Sequence, residues 1–195
     1  MNFLAHIYLS GVSDEMRIGN FIGDWVKGKN FEKYPDKVKE GILLHRKIDN
    51  FTDHHPVPRF SAKRLQPKYD KYAGVVVDVI YDHFLAKFWS LYSHERLHSY
   101  VLHCYRIFIS HYGLLPVKGK RILPYLVASN RLESYIKIEG IERSLHLMVG
   151  RTSLPAETDF AIEILRNNYD EFSQEFLHFF PQIIDFVKNE CEVVF

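Results

Sequence analysis

The sequence predicts an all-α protein, built as one domain over residues 1–195, with about seven or eight helices and a long C-terminal helical segment. Three observations support this prediction. Apolar residues recur at helical spacing along most of the chain, 195 residues suit one domain, and no glycine- or serine-rich linker divides them. A composition of 47% apolar and 15% aromatic residues also excludes a chain that is disordered throughout.

The first half of the chain shows the helical pattern most clearly over residues 38–51, with apolar side chains at 38, 42, 44, 48 and 51. Pro56 and Pro58 end this helix, because a proline disfavours helical backbone in the residue before it. A basic amphipathic segment follows at 59–72. The apolar run over 75–92 is too long for a strand and alternates poorly, so we expect a largely buried helix there.

The second half continues in the same way, and we expect helices over 95–111, 119–128 and 138–149. Residues 152–155, Thr-Ser-Leu-Pro, have the pattern of a helix start with proline in the first turn. A long final helix or helix pair is expected to reach Asn189, with an interruption near Pro181.

Sequence features also bear on the cellular location of the protein. No run of about 18 uncharged apolar residues occurs, so we expect no membrane span. The apolar N-terminus lacks a basic segment and contains His6, which is not the pattern of a signal peptide. Cys104 and Cys191 are the only cysteines and form no Cys-x-x-Cys pair. These features favour a cytoplasmic protein with reduced thiols.

Charge is unevenly distributed along the chain. Residues 1–154 carry 23 Lys and Arg against 15 Asp and Glu, whereas residues 155–195 carry 2 against 9. Basic residues cluster at 58–72 and again at 118–121. An acidic protein partner is one interpretation of these clusters, and solvated helix faces are the other. No nucleic-acid partner is expected, because the chain is near neutral and has no reader motif.

One group of candidate metal ligands is spaced as His45, Asp49 and Asp53. Four-residue spacing places the three side chains on one face of the predicted helix. Imidazole together with carboxylates suits Mn, Fe, Mg or Zn. Two structural alternatives stay open, since Asp49 can pair with Arg46 and His45 can be a hydrogen-bonded core histidine.

A second group comprises Asp78, Asp82 and His83, within an almost entirely apolar stretch. Buried carboxylates are costly unless they are paired, protonated or bound to a metal. Two negative charges on one helix face also repel each other. A cation between Asp78 and Asp82 would remove both costs, so the pattern favours a metal site over a buried network of carboxylates and arginine.

A third segment, residues 19–28, combines glycines that allow close backbone approach with Asp24 and Lys27. Its spacing is not that of a P-loop. Asp24 is a candidate metal ligand or water-orienting group, and an Asp24–Lys27 ion pair is the alternative. His6 lies in an apolar segment, and His54 lies at a helix end where it can cap the last carbonyl groups.

Four blocks of the sequence together resemble the acyl carrier protein phosphodiesterase family, whose members are also called holo-acyl-carrier-protein hydrolases. The blocks are MNFLAH at 1–6, GNFIGDWVKG at 19–28, HRKIDNFTDHHP at 45–56 and YDHFLAKFW at 81–89. Weaker similarity follows at 131–135, RLESY, and at 140–151. The order and spacing of the four blocks make the resemblance more specific than any one block alone.

The resemblance implies an all-α fold of the HD phosphohydrolase superfamily, as an atypical member, and a divalent metal. Mn²⁺ is the usual activator, with Mg²⁺ or Fe²⁺ as other options. It further implies hydrolysis of the phosphodiester that joins 4′-phosphopantetheine to a serine of holo-acyl carrier protein, which yields the apo carrier. Ordinary HD enzymes carry an adjacent His-Asp pair, whereas here the pair is reversed, as Asp82-His83.

The resemblance implies the residues around the metal, and the chemistry of the implied reaction gives roles to further residues. The residues implied around the metal are His45, Asp49, Asp78, Asp82 and His83. Asp24 or His6 would complete the shell, orient the water or protonate the leaving serine oxygen. Arg46 or Lys27 would neutralise charge that develops on the phosphoryl group. The basic segment 59–72 would dock the acidic carrier.

Two further functions stay open at this point. One is an HD-like phosphohydrolase that acts on a nucleotide or another small phosphoester. The other is a non-catalytic carrier-binding protein whose ion pairs are structural. The sequence leaves the oligomeric state open as well.

Overall fold

The computed structural model describes residues 1–195 and contains helices and connecting segments, with no β-strand. The α-helices are α1 Phe3–Tyr8, α2 Asp14–Ile22, α3 Asp36–His54, α4 Pro56–Lys63, α5 Gln66–Tyr69, α6 Ala73–Lys87, α7 Trp89–Tyr92, α8 Leu97–Ser110, α9 Val117–Ala128, α10 Arg131–Ser134, α11 Ile138–Val149, α12 Thr158–Asn167 and α13 Tyr169–Glu190. Short 3₁₀ helices span Gly23–Trp25, Gly28–Lys33, Asp70–Tyr72 and Tyr112–Leu114. The predicted all-α class is confirmed. None of these helices combines the length and the apolar character needed to cross a membrane.

The thirteen α-helices exceed the expected seven or eight because several are about one turn long. Helices α5, α7 and α10 have four residues each, too few for a period of 3.6 to show in an apolar pattern. The longer predicted helices α3, α8, α9 and α11 are confirmed, since they lie where the periodicity places them. The helix expected over 75–92 is confirmed only as far as Lys87, because α6 ends there and α7 begins at Trp89. The basic segment 59–72 is divided between α4, α5 and the 3₁₀ helix that follows.

The expected helix start at residues 152–155 is wrong. The Thr152 hydroxyl donates to the Met148 carbonyl oxygen at 2.8 Å, so it closes the end of α11. The same hydroxyl oxygen accepts a hydrogen bond from the Leu154 amide at 3.2 Å. These local side-chain bonds compete with helix formation, and α12 begins only at Thr158.

The expected interruption near Pro181 is also wrong. The final segment breaks at Asn168, whose side-chain amide donates to the Ile164 carbonyl oxygen at 2.9 Å, and α13 continues through Pro181. An interior proline costs roughly 3 kcal/mol. Burial of the phenylalanines at 176, 179 and 180 on α13 offsets this cost, because each buried large side chain contributes about 1.5–3 kcal/mol.

A single apolar core of 51 buried residues joins the helices, and the short helix α1 lies within it. The N-terminus of α1 is capped by Asp82 of α6. The two carboxylate oxygens of Asp82 accept hydrogen bonds from the Leu4 amide at 2.9 Å and the Ala5 amide at 3.0 Å. Without this cap, the first buried amides of α1 would have no partner.

Helices α2 and α3 form the most extensive helix pair in the molecule. Gly19 lies at their closest approach, where a Cβ atom would stand 2.0 Å from the Val38 carbonyl oxygen. Only a residue without a side chain allows this approach. The consequence for the site is that Asn20 of α2 comes within hydrogen-bonding distance of His45 on α3.

Candidate metal centre and active site

Two stacked histidines, His6 of α1 and His45 of α3, form the base of the candidate site. Their ring centroids are 4.0 Å apart, with an angle of 18° between the ring planes. Both side chains are buried. Two positively charged rings at this distance would repel each other strongly, so at most one of them carries a second proton.

A single side chain, Asn20 of α2, fixes the orientation of both rings. Its Oδ1 atom lies 2.7 Å from His6 Nδ1 and 3.2 Å from His45 Nδ1, and its backbone oxygen lies 2.9 Å from His45 Nδ1. Because these partners are acceptors, each Nδ1 carries a hydrogen. Asn20 Nδ2 in turn donates to the His6 carbonyl oxygen and to Ser10 Oγ. In their neutral forms, both histidines therefore present an unprotonated Nε2.

Gly23 leaves room for the His45 ring. A Cβ atom at this position would lie 2.3 Å from His45 Cγ, so any other residue would displace the imidazole. Gly23 also begins the 3₁₀ helix that follows α2. This helix therefore packs directly against the ring and brings Asp24 to the site.

Asp49, one turn after His45 on α3, contacts both histidines. Its Oδ1 lies 3.1 Å from His6 Nε2 and its Oδ2 lies 3.1 Å from His45 Nε2. With its hydrogen on Nδ1, a neutral His6 has none to donate to Asp49, so two lone pairs face each other. His45 Nε2 is buried and has no partner in hydrogen-bonding geometry. The three residues offer ligand atoms within 4.8 Å of one another, an arrangement that a divalent cation can bridge.

A cavity of about 540 Å³ opens beside this cluster. Its lining includes four carboxylates and two exposed lysines, namely Asp24, Asp49, Asp53, Asp78, Lys27 and Lys118. The carboxylates favour a bound cation, and the lysines can meet an anionic group that enters the cavity. The Met1 amino nitrogen lies 3.0 Å from Asp78 Oδ1 at the same place.

The surroundings shift the pKa values of the two histidines in opposite directions. Burial, together with the nearby His45 ring, lowers the pKa of His6 to about 4. Burial also acts on His45, but the Asp24 and Asp49 carboxylates outweigh it and raise the pKa of His45 to about 9. Without a bound cation, His45 therefore carries the extra proton at neutral pH and His6 is neutral.

The carboxylates of the cluster respond to the same contacts. The charged His45 ring, whose Nε2 lies 3.6 Å from Asp24 Oδ1, lowers the pKa of Asp24. Burial acts to raise the pKa of Asp49, but the adjacent charged His45 ring and the nearby Met1 amino group outweigh burial and lower it. Burial raises the pKa of Asp78 to about 6. Asp24 and Asp49 are therefore ionised at neutral pH, as metal ligands must be.

Asp82 and Asp78 share a face of α6, as the sequence predicts, but they have different surroundings. Asp78 lines the site cavity, whereas Asp82 lies deeper in the core, where it caps α1. Burial raises the pKa of Asp82 to about 7, although its two amide partners oppose this shift. Pairing with backbone amides thus accounts for the buried carboxylate, and the structure does not bring Asp82 to the ligand cluster.

His83 also lies outside the cluster. Its Nδ1 lies 2.8 Å from the Tyr135 carbonyl oxygen, and its Nε2 lies 2.8 Å from the Tyr169 hydroxyl oxygen. Both ring nitrogens are therefore engaged, and His83 joins α6 to the segments that carry these tyrosines. Of the ligands carried over from the resemblance, the structure brings His45 and Asp49 together, whereas Asp78 lines the adjoining cavity and pairs with the Met1 amino group.

Arg46 supports the site without lining its cavity. Its Nη2 donates to the carbonyl oxygens of Val26 at 2.9 Å and Gly28 at 2.8 Å, and its guanidinium lies over the Phe31 ring. These contacts join the segment after α2 to α3. Lys27, in contrast, is exposed and lines the cavity. His54 bonds to the Asn50 carbonyl oxygen at the end of α3, away from the cluster.

Two residues of the site were not assigned to it from the sequence. Asn20 gave a usable signal, because a buried asparagine between Gly19 and Phe21 needs partners for its amide. For Lys118, the sequence shows only that it belongs to a basic segment. Its position at the cavity depends on how α9 packs, which the sequence pattern does not show.

The chain is similar along almost its whole length to known proteins. A profile of the family described as acyl carrier protein phosphodiesterase matches residues 1–183. Proteins of that name from Enterobacter sp. (strain 638) and Yersinia pestis are 30% and 28% identical to the chain, over 97% and 94% of its length and 99% and 96% of theirs. The protein of that name from Salmonella paratyphi A is 31% identical, over 94% of this chain and 96% of the relative. No solved structure matches the chain.

Histidines and carboxylates gathered at a charged cavity of an all-α fold form a site that can perform acid–base chemistry. The chain belongs to the acyl carrier protein phosphodiesterase family, which confirms the resemblance seen in its sequence blocks and the prediction of a hydrolase.

If this cluster binds Mn²⁺, replacing Asn20 by alanine is expected to weaken that binding by about tenfold or more, because His6 Nδ1 loses its acceptor whereas His45 Nδ1 keeps the Asn20 backbone oxygen. Binding is measured by titration calorimetry, with circular dichroism to establish that the variant is folded. Asn50→Ala, at an exposed position of α3, is the matched control and should bind like the parent protein.

Asn20→Asp keeps an oxygen acceptor for both Nδ1 atoms, so we expect it to bind more tightly than Asn20→Ala. A folded Asn20→Ala protein with parental Mn²⁺ affinity would contradict the role given to this side chain.

Proposed function

We propose that this chain hydrolyses the phosphodiester between 4′-phosphopantetheine and a serine of holo-acyl carrier protein, with the help of a divalent metal. The main support is the convergence of His6, His45 and Asp49 beside a cavity that also offers lysines. The names of the curated relatives, acyl carrier protein phosphodiesterase, point to the same reaction. A cytoplasmic location is part of the proposal, supported by the free thiols of Cys104 and Cys191.

His6, His45 and Asp49 are the residues that we propose as metal ligands, with Asp24 and Asp78 beside them. This set includes His6 and leaves out Asp82 and His83, whose polar atoms are engaged elsewhere. Nitrogen ligands combined with several carboxylates suit Mn²⁺, with Mg²⁺ or Fe²⁺ as alternatives. A bound ion would polarise a phosphoryl oxygen and lower the pKa of water.

Asp24 is the residue that we propose to position the attacking water. Its side chain is 60% exposed, and its lowered pKa keeps it ionised, so it can accept a hydrogen bond or a proton from water. Lys27 and Lys118 line the same cavity and supply positive charge to the phosphoryl oxygens. The water oxygen bonds to phosphorus while the bond to the serine oxygen breaks, and that oxygen then takes up a proton.

An acidic carrier would dock on the basic surface formed by Arg59, Lys63 and Lys71. All three are exposed and have no carboxylate partner within 4.0 Å. Tyr72, which follows Lys71, lines the site cavity, so this surface adjoins the site. Arg64 is different, since its two guanidinium nitrogens donate to Glu175 at 2.9 and 2.7 Å in a partly buried pair that holds α4 on α13.

The reaction itself is tested by the intact mass of holo-acyl carrier protein after incubation with this protein. We expect the carrier to lose the mass of 4′-phosphopantetheine with Mn²⁺ present and to remain unchanged with chelator. Asp49→Asn is expected to lower the rate at least about 100-fold, because it removes a charged ligand between the two histidines.

Asp36→Asn, at an exposed position of the same helix, is the control and should retain full activity. An unmodified carrier under all conditions, with the protein folded and metal-loaded, would contradict the proposed reaction. A screen of small phosphoesters would then follow.

Docking is tested by reversing charge at Arg59, Lys63 and Lys71 together, each to Glu. We expect kcat/KM for the carrier to fall by about tenfold or more at low salt and to lose most of its salt dependence, because electrostatic steering acts mainly on the association rate. Arg64 stays unchanged in this variant, so the pair with Glu175 is preserved. Unchanged kcat/KM and unchanged salt dependence would exclude this surface.

Mn²⁺ affinity is expected to rise with pH by about tenfold per unit through the neutral range and to level off near pH 9. Affinity rises with pH because His45 is protonated below its raised pKa, so a metal that binds His45 there must displace a proton. Calorimetric titrations in buffers of different ionisation enthalpy measure the proton released. Constant affinity with no proton release would contradict the assignment of His45 as a ligand.

A further inference from the structure

A second cavity, of about 180 Å³, adjoins the candidate active site. The two cavities share five lining residues, namely Asn2, Asp24, Trp25, Met148 and Thr152. Asp24 and Trp25 therefore stand between them. A molecule whose phosphoryl group lies beside Asp24 can extend past Trp25 into the second cavity.

The lining of the second cavity is more apolar than that of the first. Its apolar residues come from α1, from the 3₁₀ helix that follows α2, from α9 and from α11, and they are Phe3, Trp25, Ile122, Tyr125, Leu126, Leu147 and Met148. Two of them, Tyr125 and Leu147, are 60% and 41% exposed. Exposed apolar side chains gathered around a cavity indicate a binding surface for an organic group.

Polar groups lie at separate points of this apolar lining. Arg131 donates from Nη1 to Ser144 Oγ at 2.7 Å, and its other guanidinium nitrogens have no protein partner. The Arg151 guanidinium lies over the Tyr125 ring, 4.9 Å from its centre. A few placed polar groups in an apolar lining are typical of sites that bind an amphipathic molecule with amide groups.

This cavity also accounts for sequence segments to which the proposed chemistry gives no role. Residues 131–135 and 140–151 resemble the family, yet neither supplies a group to the histidine cluster. Arg131, Ser144, Leu147 and Arg151 from these segments all line the second cavity.

We propose that the second cavity binds the pantetheine arm of the substrate, an inference that rests on the proposed function. The arm is a flexible chain with methyl groups, two amides and a terminal thiol, so it has both apolar surface and hydrogen-bonding groups. Its phosphoryl end lies beside Asp24, and its chain runs past Trp25 between α9 and α11. Leu147 and Tyr125 contact the chain, and Arg131 donates to an amide oxygen.

Binding of free 4′-phosphopantetheine to the full chain, measured by calorimetry in the presence of Mn²⁺, tests this cavity. Inorganic phosphate serves as the reference ligand. We expect the parent protein to bind 4′-phosphopantetheine at least about tenfold more tightly than phosphate, because the arm adds apolar contact. Leu147→Trp fills the second cavity without touching the first, so it should remove that gain and leave phosphate binding unchanged.

Ile109→Trp is the matched control, because Ile109 is an apolar residue of α8 that is 55% exposed and lines neither cavity. It should keep the parental affinity for both ligands. Equal affinity of the parent protein for the two ligands would overturn the proposal. So would parental binding of 4′-phosphopantetheine by folded Leu147→Trp, which is also the result expected if an apolar side chain of the carrier occupies the cavity.

Carrier hydrolysis, followed by intact mass, separates this inference from the proposed function. A parent protein that cleaves the holo carrier, together with a Leu147→Trp variant of unchanged kcat/KM, would overturn the cavity assignment alone. A parent protein that leaves the carrier intact but binds 4′-phosphopantetheine through Leu147 would overturn the proposed reaction alone.

Discussion

The arrangement of the site follows from one buried amide that accepts hydrogen bonds from two imidazole rings. Asn20 Oδ1 lies within 3.2 Å of Nδ1 on both His6 and His45, and no other side chain contacts both of these atoms. A buried polar group of this kind is costly unless all its atoms are satisfied. Asn20 meets this condition, because its Nδ2 donates to the His6 carbonyl oxygen and to Ser10 Oγ. The ring orientations are therefore set before any ligand binds, and the two Nε2 atoms converge.

Several features of the fold serve this contact. Close approach of α2 and α3 at Gly19 brings Asn20 to His45, and Gly23 leaves the space that the His45 ring fills. Asp82 of α6 accepts hydrogen bonds from the N-terminal amides of α1 and so fixes the position of His6 on that helix. Residues far from the reacting groups thus determine the geometry of the cluster. Arg46 contributes in a similar way, because it joins the segment that carries Asp24 to α3.

Much of the fold could be predicted from the sequence, because the period of apolar residues is a local property. The positions of α3 and α6 follow from it directly, as does the pairing of His45 with Asp49 one turn apart. The four-residue spacing of Asp78 and Asp82 also predicts a shared helix face. It does not show that Asp82 meets the amides of Leu4 and Ala5, which lie 78 and 77 positions away in sequence. The one-turn helices and the continuation of α13 through Pro181 depend likewise on tertiary packing, which local patterns do not record.

The cap on α1 also constrains the order in which the protein can fold. A helix of six residues is unstable by itself in water, and this one has no side-chain cap from its own N-terminal flank. Its partner Asp82 is synthesised 78 residues after Leu4, so α1 cannot take its native position until α6 has been made. Contacts of such long sequence separation form late, because loop closure must precede them. A chain with all its other helices formed but α1 undocked would therefore lack His6 and with it the histidine pair of the site.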